Sequence, residues 1–178
     1  YYSEKIVYLP NSYMVNQSKL KVSKRLFTRE DVGLPAEGFV FCCFNKQYKI
    51  CPTTFAGWMR ILKAVDGSVL WLPATGDSAI KNLKKEAKKN GIDENRLVFA
   101  PGLYLNEDHL SRQKLADLFL DTLPYNAHVT ASDALRMEVP VLTCIGEAFS
   151  GRVAASILKA VNLPEMITTT QEQYERLA

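Results

Sequence analysis

Two short apolar runs, each followed by a polar turn and then a helical pattern, lie in succession between Asp117 and Ser156 and constrain the fold most. The runs are DLFLD (117–121) and PVLTC (140–144), and they give the order strand, loop, helix, strand, loop, helix. In a parallel α/β sheet both loops emerge at the carboxyl edge, so two helix N-termini face one crevice. A helix N-terminus carries unpaired N–H groups and a partial positive charge, which favour phosphate. The stretch therefore predicts a nucleotide-diphosphate site.

Three further apolar runs of strand length precede this stretch, at 39–44, 68–72 and 96–100, with helical patterns between them. Pro52 fits the first position of one helix, and Asp77 or Ser78 is expected to cap the next. Strands that alternate with helices, without hairpin signals, predict an α/β fold with a doubly wound, mostly parallel, Rossmann-like sheet. The sequence contains no GxGxxG, GxxxxGK[ST] or GxSxG, which disfavours a dinucleotide-binding domain and excludes P-loop ATPases and α/β-hydrolases.

Composition narrows the class of protein further. The net charge of +3 is too small to indicate nucleic-acid binding, and the lysines between 81 and 89 are typical of a solvated helix face. No apolar run approaches the roughly 20 residues of a membrane span, so we expect no membrane partner. The four cysteines show no CxxC spacing and predict buried, reduced thiols and no metal. We expect a cytoplasmic protein.

Residues 1–36 carry neither a helical nor a strand period and contain the turn sequence GLP (33–35). They predict a connecting arm from a missing lobe, followed by a nucleotide-binding domain at 37–178. The sequence does not begin with Met, and its end lies in a helical pattern. We therefore expect a fragment of a longer chain whose domain is truncated at its C-terminus.

The side chains most suited to chemistry lie in the loops of the predicted carboxyl edge. His109 follows the third strand, and His128 directly precedes the helical segment VTASDAL. Thr130 lies in the first turn of that helix, where capping is its ordinary role, whereas Asp133 lies one turn further and can accept hydrogen bonds from ribose hydroxyls. Lys49 offers a mobile cation at the same edge, although a loop lysine is usually only solvated.

No acid/base pair or catalytic triad is evident in the sequence. Asp121 and Glu147 are interpreted as structural, and Glu147 is expected to start a helix, where its charge is favourable. The residues therefore describe a nucleotide holder better than a complete active site.

Four segments together resemble the O-linked N-acetylglucosamine transferase family. They are FCCFNKQYKICP (41–52), LVFAPGLYLNEDHL (97–110), LADLFLDTLPYNAHVTASDAL (115–135) and PVLTCIGEAFSGRVAAS (140–156). The resemblance is closest to the bacterial members, which are similar to the plant SPINDLY branch.

The resemblance implies the C-terminal, nucleotide-sugar-binding lobe of a GT-B glycosyltransferase. Such enzymes transfer N-acetylglucosamine from UDP-N-acetylglucosamine to Ser or Thr of proteins, with inversion, without a cofactor and without a required metal. The N-terminal lobe and the tetratricopeptide repeats that usually precede it would be partners from the same parent chain. We expect the isolated chain to be inactive without them.

The resemblance also assigns roles to residues. Lys49 would contact the diphosphate and stabilise the leaving group, and His109 would pack against the uracil with Arg112 nearby. His128 and Thr130 would bind phosphate oxygens, and Asp133 would hold the ribose hydroxyls.

Several positions depart from the family pattern. Val129 removes one hydroxyl from the phosphate loop, although its backbone N–H remains, so we expect weaker but not abolished binding. Lys46 stands where relatives often carry an amide and could alter base or phosphate contacts. Arg136 belongs to a segment, RMEVP, that differs from the family, and the loop before His109 is one residue out of step with the animal enzymes.

Three alternatives remain open from the sequence. The chain could be a protein O-fucosyltransferase lobe that uses GDP-fucose, since the plant SPINDLY branch has that chemistry. It could be a non-catalytic nucleotide-sensing or scaffold module in which Val129 has replaced a needed hydroxyl. A nucleotide-binding α/β domain of another enzyme is the most distant alternative.

Overall fold

The computed structural model describes residues 3–17 and 19–178, and a six-stranded sheet forms its centre. The strands are β1 (Val40–Cys42), β2 (Val69–Pro73), β3 (Leu97–Ala100), β4 (Leu118–Leu120), β5 (Val141–Cys144) and β6 (Ile167–Thr168). Each pairs in parallel with its neighbours in the order β3-β2-β1-β4-β5-β6. The predicted doubly wound α/β fold is confirmed, and the point where the strand order reverses lies between β1 and β4.

Helices connect the strands. They are α1 (Pro52–Ala64), α2 (Asp77–Lys89), α3 (Asn106–Gln113), α4 (Val129–Arg136), α5 (Val153–Ala160) and α6 (Gln171–Leu177). Short 3₁₀ turns lie at Glu30–Val32, Gln47–Lys49, Glu94–Arg96, Phe149–Gly151 and Pro164–Met166. The carboxyl ends of β1 and β4 are therefore followed by the loops that contain Lys49 and His128.

The central strands are buried on both faces, which explains why their sequences are continuous apolar runs. Phe41, Trp71 and Phe119 are fully buried there, and so is Trp58 of α1. All four cysteine thiols are free, and three of them, Cys42, Cys43 and Cys144, are buried. Burial is thus confirmed for three of the four thiols, and Cys51 is half-buried.

A chain of hydrogen bonds fastens α1 and α6 to the carboxyl end of β4. Trp58 Nε1 donates to the Tyr174 hydroxyl at 3.1 Å, and that hydroxyl donates to the carbonyl of Asp121 at 3.0 Å. On the surface, Arg60 donates two hydrogen bonds to the Glu175 carboxylate, at 2.7 and 2.6 Å. The C-terminal helix therefore supports the strand end from which the predicted phosphate loop begins.

The later part of residues 1–36 packs against the core. Val32 and Leu34 are buried, and Arg29 lies 3.4 Å from the Asp117 carboxylate. The part of the arm prediction that falls on residues 1, 2 and 18 lies outside the described residues. That the arm leads from a further lobe, with a domain at 37–178, stays a prediction.

Two local expectations were wrong, and one strand was missed. Neither Asp77 nor Ser78 caps α2, because Gly76 takes the N-cap position at φ 141°, a conformation that side-chain-bearing residues rarely adopt. Glu147 does not start a helix, since the Gly146 N–H donates to the Gly151 carbonyl and closes a tight loop before α5 begins at Val153. The sixth strand was not predicted.

Candidate functional site

A buried polar network occupies the point where the strand order reverses. Asn45, directly after β1, donates through Nδ2 to the Thr122 hydroxyl at 2.7 Å and lies 3.4 Å from Asp121 Oδ1. Its side-chain oxygen accepts from the Thr130 hydroxyl in the first turn of α4, at 2.5 Å. One amide thus joins the ends of β1 and β4 to the start of α4. Ligands of open α/β sheets bind at this position.

Asp121 fixes the loop that leads from β4 to α4. Its Oδ1 accepts from the backbone N–H groups of Thr122 at 2.7 Å and of Ala127 at 2.6 Å, which closes both ends of the loop. Its Oδ2 accepts from the Thr143 hydroxyl of β5 at 2.6 Å. Burial raises the pKa of Asp121 to about 6, against the opposing effects of these hydrogen bonds and of Lys49. This carboxyl is enclosed, which agrees with a structural interpretation.

The N-terminus of α4 opens beside this loop. His128 is the N-cap residue, and its side chain makes no capping bond. The first backbone N–H to bond within the helix is that of Ser132, which donates to the His128 carbonyl at 3.2 Å. The preceding N–H groups, those of Val129 and Thr130 included, have no partner among the described residues. They are the orphan donors that suit an anion.

Lys49 lies against the same loop. Its Nζ donates to the Asn126 carbonyl at 2.9 Å and stands 3.9 Å from the centre of the Tyr125 ring. Partial burial lowers its pKa, with Asp121 acting in the opposite direction. The ammonium is therefore held at the mouth of the phosphate loop by a carbonyl and an aromatic face.

Asp133 and His128 complete this half of the site. Asp133 is half-buried, burial raises its pKa against the effect of Arg136, and its carboxylate oxygens have no hydrogen-bond partner among the described residues. His128 Nδ1 lies 2.8 Å from the Tyr13 hydroxyl, and its Nε2 is buried without a partner in the described part of the chain. Burial and the Lys49 charge lower the pKa of His128, while the Ser150 backbone raises it.

A second cluster lies at the carboxyl ends of β1, β2 and β3. A cavity of about 360 Å³ is lined there by Phe44, Pro73, Ala100, His109 and Arg112, among others. Arg112 is buried and donates to the Pro101 carbonyl at 2.6 Å and through Nε to His109 Nδ1 at 3.2 Å. The His109 ring meets Phe44 edge-on at 5.1 Å.

The chemistry of that cluster follows from its contacts. Burial, and then the Arg112 charge, lower the pKa of His109 to about 4, so the ring is neutral at pH 7. Because Arg112 donates to Nδ1, the proton of the neutral ring lies on Nε2. The cavity therefore combines the flat rings of Phe44 and the neutral His109 with polar side chains such as Thr75, Asn106 and Arg112, which suits a heterocyclic base.

The structure brings most of the predicted residues to one edge of the sheet. Lys49, His128, Thr130 and Asp133 surround the start of α4, and His109 with Arg112 lines the neighbouring cavity. Val129 is 58% exposed at the first position of α4, where a hydroxyl would face outward. Lys46 is exposed in the loop after β1 and makes no side-chain hydrogen bond to a described residue. Their roles in binding stay predictions.

The sequence did not predict two features of the site, the network that joins Asn45 to Asp121 and the contact of Tyr13 with His128. Asn45 and Asp121 are the polar residues that follow two apolar runs, which is a usable signal, but the sequence does not show that those runs are neighbours in the sheet. Tyr13 gave no signal, because it lies in a segment without periodicity. A larger cleft of about 580 Å³ lies between that segment and α4 with α5, and its lining includes neither Lys49 nor His109.

Residues 3–17 and 19–178 contain no group of three or more His, Cys, Asp or Glu side chains placed to hold a metal ion. Within the same residues, every helix is too short or too polar to cross a membrane.

Comparison with known proteins identifies the family of the chain. Residues 16–178 match glycosyl transferase family 41. A probable UDP-N-acetylglucosamine–peptide N-acetylglucosaminyltransferase SEC from Arabidopsis thaliana is 38% identical over 99% of this chain and 19% of its own length. The corresponding Caenorhabditis elegans transferase is 37% identical over 86% of this chain and 13% of its own. The chain thus spans less than a fifth of these relatives.

A solved structure, the K341M mutant of Thermobaculum terrenum O-GlcNAc transferase, superposes with a TM-score of 0.75 and 33% identity. The match covers 79% of this chain and 27% of that protein, as expected for one lobe of a larger GT-B enzyme. The sequence resemblance, the parallel fold and the structural match therefore agree, and the chain belongs to glycosyl transferase family 41.

Proposed function

We propose that this chain is the donor-binding lobe of an inverting protein O-glycosyltransferase, which holds UDP-N-acetylglucosamine for transfer to Ser or Thr of proteins. One observation carries the proposal: at the point where the strand order reverses, the Lys49 ammonium lies against the loop that leads into α4, whose first N–H groups have no partner among the described residues. Both relatives quoted above are named as UDP-N-acetylglucosamine–peptide transferases. The proposal includes no cofactor and no metal.

The site has to stabilise the negative charge of the departing diphosphate. Negative charge grows on the leaving phosphate as the bond to the sugar breaks, and preorganised donors stabilise it. An ammonium has three N–H donors, and the Asn126 carbonyl occupies one of those on Lys49, so the others can reach phosphate oxygens. The backbone N–H groups of Val129 and Thr130 supply further donors, with Thr130 held in place by Asn45.

The nucleoside half is held separately. The free carboxylate of Asp133 can accept hydrogen bonds from both hydroxyls of a ribose, and the His109–Arg112 cavity receives the base. Phe44 and the neutral His109 ring give that cavity flat, uncharged walls. We expect a pyrimidine base to occupy this cavity, with its ribose toward Asp133 of α4.

Activation of the acceptor hydroxyl belongs to groups outside this chain. Asp121 is enclosed by its own donors, and the described residues near Lys49 include no exposed carboxylate paired with a histidine. We propose that the missing lobe supplies that group and that a tetratricopeptide region precedes it in the parent protein. The isolated chain then binds donor without transferring sugar, and turnover by it on a protein acceptor contradicts this. The free thiols support a cytoplasmic location.

Calorimetric titration with UDP tests the proposal. Lys49→Ala removes a charge-assisted hydrogen bond, so we expect the dissociation constant to rise about 10- to 100-fold. Lys85→Ala, which removes an exposed lysine from α2, is the matched control and is expected to bind like wild type. A folded wild-type chain that fails to bind UDP at millimolar concentration refutes the donor site.

A thermal-shift panel identifies the donor. UDP-N-acetylglucosamine is expected to stabilise the chain more than UDP-glucose or GDP-fucose, because the relatives of this chain are named as UDP-N-acetylglucosamine–peptide transferases. Stronger stabilisation by GDP-fucose would favour the fucosyltransferase alternative instead. Parent protein that binds UDP yet neither hydrolyses nor transfers the sugar would favour the non-catalytic module.

A further inference from the structure

The N-terminal arm is fastened to the first turn of α4 at two points. The Tyr13 hydroxyl lies 2.8 Å from His128 Nδ1, and Ser132 Oγ donates to Asn16 Oδ1 at 2.9 Å. The Tyr13 ring also meets Phe149 edge-on, with ring centres 5.0 Å apart. A segment without regular structure therefore places one phenol against the residue that caps α4.

The protonation states of the pair follow from their surroundings. Burial and the Lys49 charge lower the pKa of His128, so its ring is neutral near pH 7 and one ring nitrogen is a bare acceptor. Burial, and then Tyr125, raise the pKa of Tyr13, so the phenol keeps its proton. The phenol is thus available as a donor, and the imidazole offers a basic nitrogen to receive it.

The direction of the hydrogen bond then selects the tautomer. A phenol O–H is a better donor than its oxygen is an acceptor, because the ring withdraws electron density from that oxygen. We therefore assign donation from Tyr13 to Nδ1 and the ring proton to Nε2. With Nδ1 occupied by Tyr13, Nε2 carries the ring proton, and it is buried without a hydrogen-bond partner among the described residues.

We propose that Tyr13 is a positioning residue of the donor site, whose O–H holds His128 in the Nε2–H tautomer and fixes its ring beside the first turn of α4. The inference rests on the donor site proposed above. It assigns part of the nucleotide site to a segment that the sequence identified only as a connecting arm. Without the phenol, the ring can turn and exchange tautomers, so the position and the hydrogen-bonding groups of His128 at the entrance to the phosphate loop are no longer fixed.

Nitrogen NMR of the histidine rings tests the pairing directly. The chain has only two histidines, so a His109→Gln variant assigns both sets of signals. In wild type we expect His128 to show one tautomer with the proton on Nε2. In Tyr13→Phe its two nitrogen shifts should move toward the average of both tautomers. His109 is an internal control, because Arg112 holds its Nδ1 in both proteins.

Calorimetry with UDP tests the consequence for binding. Loss of one positioning hydrogen bond is expected to weaken UDP binding by roughly three- to ten-fold in Tyr13→Phe. Tyr8→Phe is the matched control, because Tyr8 lies in the same arm and is 88% exposed. Equal melting temperatures for the two variants would exclude a general loss of stability as the cause.

Each outcome decides a different step. Unchanged His128 shifts in Tyr13→Phe overturn the pairing. Altered shifts with an unchanged UDP dissociation constant overturn the role in the donor site. A wild-type chain that does not bind UDP refutes the donor site and Tyr13's part in it, while the nitrogen shifts still decide whether the pair exists.

Discussion

Asp121→Asn should remove one contribution to the pH dependence of stability, that of the buried carboxyl at the centre of the site. Burial raises the pKa of this carboxyl from 3.8 to about 6 in the folded chain. Between these two values the folded state holds a proton that the unfolded state releases, so the contribution of Asp121 to stability falls as pH rises from about 4 through 6. The shift of about two units corresponds to roughly 3 kcal/mol once the group is fully ionised.

Asparagine removes this titration but can keep much of the geometry. Its amide oxygen can accept from the Thr122 and Ala127 N–H groups, and its NH₂ faces the Thr143 hydroxyl, which can rotate to accept. We therefore expect the difference in free energy of unfolding, variant minus wild type, to shift in favour of the variant by about 2 to 3 kcal/mol between pH 4 and pH 7.

Urea unfolding of both proteins across this pH range measures the difference, and contributions of other titrating groups cancel. Asp66→Asn, at an exposed position after α1, controls for the loss of one negative charge. A difference that does not change with pH would show that the fold accepts the Asp121 charge without penalty. The hydrogen bonds that the Asp121 carboxylate accepts would then offset the free-energy cost of burying its charge.

Two further substitutions test the phosphate loop. Val129→Thr adds a hydroxyl at the first position of α4 and should tighten UDP binding about two- to ten-fold by calorimetry. Val161→Thr, at the end of α5, is the control and should leave the affinity unchanged. If Val129→Thr binds UDP as wild type does, position 129 does not contact the phosphate. Gly151→Ala should lower the free energy of unfolding by about 1–3 kcal/mol, because its Cβ would lie 2.9 Å from the Pro124 carbonyl oxygen and 3.2 Å from Gly146 Cα. Gly102→Ala, with no neighbour within 4 Å, is its control, and equal urea midpoints would show that the loops can separate at little cost.

The elements of the fold were accessible from sequence where the signal is local and strong. The four central strands, β1, β2, β4 and β5, are buried on both faces and have unbroken apolar sequences, and α1 begins at the proline that marks it. β6 escaped prediction because it is two residues long and pairs only with β5. The start of α5 was placed too early because the contact between Gly146 and Gly151 is not visible in the residue pattern.

Some residues of the site could likewise be predicted from the sequence, and others could not. His128, Thr130 and Asp133 lie within six residues of one another, so a single helix start predicts that they are neighbours. The bond from Asn45 to Thr122 spans 77 residues and depends on β1 lying beside β4, which a single sequence does not reveal. The contact of Tyr13 with His128 spans 115 residues and depends on the path of an irregular arm.

The strand order has a consequence for how the chain assembles. β1, β2 and β3 are contiguous in sequence and adjacent in space, and the same holds for β4, β5 and β6. Strand pairing joins the two triplets at a seam, where Phe41 is paired with Leu118 and Cys42 with Phe119, and this pairing has the largest sequence separation in the sheet. Contacts of such high sequence separation are the slowest to form, so the seam is expected to close last and to open first. Asn45 and Lys49 lie on one side of this seam and Asp121 and Asp133 on the other, so a donor molecule bound at the proposed site would contact both triplets and would be expected to stabilise their pairing.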